Sequence, residues 1–169
     1  MNNERNTAER VIWNVLTVCY SHSGNTRECA RLVHAAVGGD FAELIPATPY
    51  PGDYTAVVNQ AKRELQAGYK PALQTSVAGI EAYDVIFVGS PNWWNTIAPP
   101  VMTFLSTYDL AGKAIVPFIT HGGGGLGRSV TEIARLCPQS TVLEGLAVRG
   151  EAVKAAQPQL AKWLRKLDM

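Results

Sequence analysis

The sequence predicts an α/β domain built on a doubly wound parallel sheet. Strand-sized apolar runs alternate with helical patterns from Val15 to the C-terminus, which is the order that a parallel sheet with helical crossovers requires. One of these runs, Val85-Ile86-Phe87-Val88, is apolar on both faces, as a strand covered by helices on two sides must be. No internal repeat or linker divides the 169 residues, and this length supports one sizeable core. Residues 1–12 read as a flexible polar tail containing Glu4, Arg5, Glu9 and Arg10, and residues 13–169 as the domain.

The first strand, beginning at Val15, leads into a helix over residues 25–37 whose apolar positions Cys29, Val33 and Val37 recur at helical spacing; Gly38 and Gly39 stop it. A second strand is expected at residues 41–45. Asp53 caps a further helix in which Val57, Val58, Ala61 and Leu65 share a face, ending at Gly68. Residues 70–76 then read as a connecting arm. The whole 47–79 connection is long for its type, so it is a candidate to shape a site. The third strand is placed at 84–89, with a loop at 90–100 and a helix to about Ser106. A fourth strand at 114–119 precedes a glycine-rich loop and a helix ending near Leu136. The fifth, near 141–146, precedes a final helix carrying Leu160, Trp163, Leu164 and Leu167.

Composition excludes little but favours little else. Hydrophobic residues make up 47% and charged residues 17%, and the net charge of +1 provides no electrostatic ground for a nucleic-acid or membrane partner. Cys19, Cys29 and Cys137 form no CxxC pair, which argues against a disulfide framework or a metal site and fits a reducing cytoplasmic setting. No apolar run approaches the roughly 20 residues of a membrane span, and the N-terminus has no signal-peptide core.

Three loops carry the chemistry. Ser21-His22-Ser23-Gly24-Asn25-Thr26 follows the first strand and opens a helix, where amides without intrahelical partners and the positive end of the helix dipole suit a phosphate. Ser21, Ser23 and Thr26 add hydroxyl donors, and Gly24 permits close backbone approach. After the third strand, Pro91-Asn92-Trp93-Trp94-Asn95-Thr96 places adjacent tryptophans in a polar, proline-flanked loop. After the fourth, Thr120-His121-Gly122-Gly123 begins a run of four glycines. In a parallel α/β sheet all three loops lie beyond the carboxyl ends of the strands, where ligands bind. Together they suit a ligand with a phosphate tail and a flat aromatic head.

These loops resemble those of the flavodoxins, and the resemblance extends over roughly residues 15–166. The first looks like that family's phosphate loop, and the second and third like its two isoalloxazine-contacting loops, nearest to a bacterial subgroup with a Pro-x-Trp-Trp loop. The resemblance implies a five-stranded sheet of order 2-1-3-4-5 and bound FMN. It implies a cofactor set of Ser21, His22, Ser23, Gly24, Asn25 and Thr26, of Pro91, Asn92, Trp93, Trp94, Asn95 and Thr96, and of Thr120, His121, Gly122 and Gly123. One of the two tryptophans is expected to stack on the ring while the other packs into the protein. The expected function is electron transfer between a reductase and an acceptor protein, with no residue acting as nucleophile, general acid or metal ligand. The alternative is an FMN-dependent NAD(P)H:quinone-type oxidoreductase, with Tyr50 and Tyr54 in one wall of a substrate pocket. Low-potential members of the family are usually acidic, so the +1 balance implies a less negative potential for full reduction, helped by a protonated His121.

Rival readings fit less well. Gly122-x-Gly124-x-x-Gly127, with Glu144 downstream, matches a dinucleotide fingerprint, but on the fourth strand and not on the first of its unit. The first loop lacks the lysine of an NTP-binding P-loop. Ser21 and Ser23 beside His22 lack a nucleophile elbow and an orienting acid. His34 reads as a helix-face residue and Cys19 as a small core hydrophobe.

Overall fold

The computed structural model describes residues 12–169; the expected tail lies outside them except for Ile12. β1 (Val15–Cys19) is buried throughout. α1 (Asn25–Val37) follows, burying Thr26, Cys29, Ala30 and Val33, and is closed where the Gly38 N–H donates to His34 O (2.8 Å). β2 (Asp40–Glu43) pairs parallel with β1. It ends before the expected Ile45, because the Ile45 N–H leaves the ladder to donate to Thr75 Oγ1 (2.8 Å). The arm that supplies Thr75 is itself pinned to this edge by Ala47 N–H to Ala72 O and Gln74 N–H to Ile45 O (2.8 and 2.7 Å).

α2 (Tyr54–Ala67) starts where Asp53 Oδ2 accepts the Ala56 N–H (2.9 Å) and ends at left-handed Gly68. β3 (Val85–Trp93) runs four residues further than the sequence suggests and folds back as β4 (Thr96–Ile97). α3 (Pro99–Thr107), β5 (Ala114–His121) and α4 (Ser129–Leu136) follow. The fifth strand is divided into β6 (Thr141–Val142) and β7 (Leu146–Arg149), both paired with β5, before α5 (Gln157–Lys166).

The sheet order is β2-β1-β3-β5-β6, with β7 also on β5. This is the expected 2-1-3-4-5 order, with seven strands in place of five because the hairpin adds β4 and the last strand is split. Across the split the register against β5 gains one residue, as in a bulge. The Trp163 indole N–H donates to Glu144 O there (2.9 Å), so the carbonyl between the two pieces is satisfied by α5.

Period-2 alternation divides the core. Val15, Cys19, Phe87, Val116 and Phe118 face α1 and α5, while Leu16, Val18, Ile86, Val88, Ile115 and Ile119 face α3 and α4. Phe87 meets Trp163 edge-on at 5.9 Å. Gly89 has no room for a side chain, since a Cβ there would fall inside the Phe118 ring. Gly89→Ala is therefore expected to lower stability by about 1–3 kcal/mol through overpacking, read from the midpoint of urea unfolding.

All three cysteines are free and buried. Burial pushes the Cys19 and Cys29 thiols up to about 12 and Cys137 up to about 11. Neutral thiols are thus retained at pH 8, and iodoacetamide is expected to label none of them without denaturant. The folded pKa values lie above the unfolded ones, so this contribution to stability is complete below about pH 8.5. It is lost as pH rises toward 11–12. Urea midpoints should fall across that window, and less steeply in Cys29→Ala.

Candidate functional site

The carboxyl ends of β1, β3 and β5 open into a cavity of about 590 Å³. Ten of the sixteen expected site residues line it: His22, Ser23 and Asn25; Pro91, Asn92, Trp93 and Trp94; Thr120, His121 and Gly122. The other six, Ser21, Gly24, Thr26, Asn95, Thr96 and Gly123, stand behind the wall or at its turns.

In the first loop, Gly24 takes φ 101°, a conformation that glycine adopts at little cost. Its N–H donates to Ser21 Oγ (3.1 Å) and its carbonyl accepts the Glu28 N–H (3.0 Å). The amides of Asn25, Thr26 and Arg27 precede the first intrahelical donor and have no partner within the helix. Ser21 is therefore a loop brace. The Thr26 hydroxyl is buried and shares a 2.7 Å hydrogen bond with Thr120 Oγ1, joining the first loop to the third. Arg27 is held by Glu43 in an ion pair (2.6 Å), so the charge nearest the helix start is already neutralised.

The second loop is a hairpin. Asn92 pairs with Ile97 and Trp93 with Thr96, leaving Trp94 and Asn95 as a two-residue turn with φ 51° and 68°. Two positive φ values match the twist of a tight hairpin. Asparagine tolerates this backbone, whereas a bulky residue is strained by it. Trp94 is compensated by contacts across the cavity mouth: its indole N–H donates to Val58 O on α2 (2.9 Å), and Lys62 Nζ lies 5.2 Å from its ring centre. Trp93 is held edge-on by Tyr20 and Tyr50, at 5.4 and 5.1 Å. Behind them Glu64 is buried and accepts from Tyr50 OH (2.6 Å) and Gln60 Nε2 (3.3 Å). Burial, and then Glu64, push the Tyr50 and Tyr20 phenols well above their ordinary range, so this aromatic wall is uncharged.

The third loop is tied to the hairpin. Asn92 Nδ2 donates to Gly125 O (2.9 Å) and the Arg128 N–H to Asn95 O (2.7 Å). With φ 52° and Asn95 pressed against it, Gly127 has no space for a Cβ. The start of α4 is therefore closed by the hairpin backbone and is not available to a pyrophosphate. Glu144, the acidic residue downstream of those glycines, is paired with Lys166 (2.9 Å). Both findings count against the dinucleotide reading. Among the described residues His121 Nδ1, buried in the cavity wall, has no partner, and neither has Thr96 Oγ1 beside the turn.

Six lining residues were not among those expected for the cofactor: Tyr54, Val57, Val58, Ala61, Gly150 and Glu151. The α2 face reads as core in the sequence, yet Val57 and Ala61 are covered at the cavity and belong to neither main cluster. Only the unusual length of the 47–79 connection and its tyrosines signalled this wall. Gly150 and Glu151 follow β7 at the same sheet edge, so the rule that selected the other loops would have selected this one. Among the described residues Glu151 is the one carboxylate of the lining, with Arg149 3.9 Å away.

Fold and site together define a doubly wound α/β protein whose ligand cleft lies where the strand order reverses. The chain belongs to the flavodoxin family: the flavodoxin family model matches residues 14–167. Among solved structures it is similar to a candidate flavoprotein from Bacteroides eggerthii at 30% identity, covering 89% of this chain and 99% of that one with a TM-score of 0.75. A second candidate flavoprotein, from Bacteroides uniformis, is 29% identical over 90% and 98% of the two chains, with a TM-score of 0.79. A flavoprotein in complex with FMN from Lactobacillus acidophilus shares the fold at 22% identity, over 85% and 98%, with a TM-score of 0.71. No curated protein sequence matches the chain. Among the described residues no helix is long and apolar enough to cross a membrane.

Proposed function

We propose that this protein binds FMN noncovalently and transfers electrons between partner proteins in the cytoplasm. The convergence of three loops on one cavity carries the reading. Its volume of about 590 Å³ lies within the roughly 300–1,000 Å³ typical of cofactor sites. The residues present also fit the group: unpartnered amides at the start of α1 suit its phosphate, the tryptophan hairpin suits a flat ring, and the orphaned His121 Nδ1 has no protein partner to lose. Asn25, Thr26 and Ser23 would hold the phosphate, braced by Ser21 and Gly24, with His22 at its side. Pro91, Asn92, Trp93 and Trp94 would flank the ring, supported by Asn95 and Thr96, and Thr120, His121, Gly122 and Gly123 would complete the enclosure. FMN supplies the redox chemistry when bound, and the protein positions it and sets its surroundings.

A second reading, an NAD(P)H:quinone-type oxidoreductase, draws on the apolar wall of Tyr54, Val57, Val58 and Ala61, which is suited to a small flat acceptor. Purified protein is expected to be yellow, and apoprotein to quench FMN fluorescence on titration; a colourless protein that takes up no FMN would overturn the proposal. Reduction only through a partner reductase supports the carrier, whereas rapid NADPH oxidation with a soluble quinone supports the enzyme.

A further inference from the structure

The rim of the cavity beside the hairpin is cationic and aromatic. Trp94 and Tyr54 both line the cavity and remain 46% and 80% exposed. Lys62 lies over the Trp94 ring, and Arg128 follows the glycine loop, its backbone bonded to the residue after Trp94. Lys70 precedes Pro71, whose carbonyl accepts the Thr103 hydroxyl of α3 (2.7 Å), and α3 packs against α4, the helix that Arg128 precedes. Glu132, one turn into α4, is held below its ordinary range first by the Arg135 hydrogen bond, with the charges of Arg128 and Lys70 acting in the same direction. Arg135 already neutralises that carboxylate at 2.5 Å. Among the described residues, Lys62, Lys70 and Arg128 have no acidic partner within ion-pair distance.

We propose that this face, formed by Tyr54, Lys62, Lys70, Trp94 and Arg128, is the docking surface for an acidic electron-transfer protein. The inference rests on the FMN reading above and adds the chemistry of the partner. Cations on α2, on the arm that follows it and before α4 present positive potential from several directions, which steers an anionic surface during encounter. Exposed Trp and Tyr beside Arg match the composition of protein–protein contact cores. The spread over separate elements suits a protein surface better than a small anion, which needs converging donors. The contact would also lie at the mouth of the cavity, keeping the path for an electron short.

The test uses FMN-loaded protein and a reduced, acidic plant-type [2Fe–2S] ferredoxin in stopped flow; the ferredoxin loses one electron and the holoprotein gains it. Raising salt from about 0.01 M to about 0.15 M shortens the Debye length from about 30 Å to about 8 Å. The second-order rate is expected to fall about tenfold or more. Lys70→Glu/Arg128→Glu should lower the low-salt rate about tenfold, with Lys70→Gln/Arg128→Gln intermediate, while FMN titrations match wild type and show that both variants fold. A rate that is flat or rises with salt, or that ignores charge reversal, overturns the docking surface while leaving the FMN reading intact. Failure to take up FMN in the preceding titration overturns both, so the two failures are distinguishable.

Discussion

Gly24→Val is expected to weaken FMN binding about a hundredfold or more, the largest effect of any single substitution in the first loop. Gly24 sits at φ 101°, and a non-glycine residue held there costs about 1–3 kcal/mol. A β-branched side chain is the least able to stay, so the backbone relaxes and rotates both groups that Gly24 uses. Its N–H leaves Ser21 Oγ and its carbonyl leaves the Glu28 N–H, which unwinds the turn that aims the Asn25 and Thr26 amides. Losing two hydrogen bonds to a charged group, at about 1.5–3 kcal/mol each, exceeds the roughly 2.8 kcal/mol of a hundredfold change. Fluorescence titration of apoprotein checks this; an affinity within threefold of wild type would show that the helix start does not hold the phosphate.

Thr120→Val is expected to cost about 1–3 kcal/mol of stability, because it leaves the Thr26 hydroxyl buried without its 2.7 Å partner. Thr26→Val should cost a similar amount for the reciprocal reason. Removing both hydroxyls replaces a polar pair by two methyl groups of similar shape, and the double variant should recover most of the loss. This pair joins the loop after β1 to the glycine loop, so, on the proposed FMN reading, FMN affinity should follow the same cycle. Urea unfolding of the four proteins measures the coupling; additive losses would mean that the two hydroxyls do not form the buried link.

Elements with strong local signals were legible in advance. α1 and α2 begin and end as their caps and glycines indicate, and the buried strands β1 and β3 lie where apolar runs place them. The ends of strands were less legible because long-range partners set them. Thr75 draws Ile45 out of the sheet, Trp163 occupies the carbonyl between β6 and β7, and β3 continues through Trp93 because Thr96 and Ile97 fold back onto it. The three unusual loops that meet at the cavity were recognisable from residue types alone. The α2 wall was not, because a helix face of Val57, Val58 and Ala61 has the same pattern whether it meets core or cavity.

Local chemistry along the chain therefore specified the strand–helix alternation, the unpartnered amides after β1 and the grouping of three unusual loops at one sheet edge. These follow from side-chain period, capping and backbone permissiveness, which act over a few residues. Which hydroxyls face the cavity and which brace the loops, where two neighbouring tryptophans pack, and which charges remain unpaired beside the hairpin depended on residues far apart in sequence. Thr26 needed Thr120, Trp94 needed Val58 and Lys62, and Arg128 needed Asn95. Such pairings arise only when the sheet brings its loops together, since hydrogen bonds and charge contacts act over a few ångströms of space whatever their separation along the chain. The loop after β1 is thus one end of a cavity whose other walls are built by the fold.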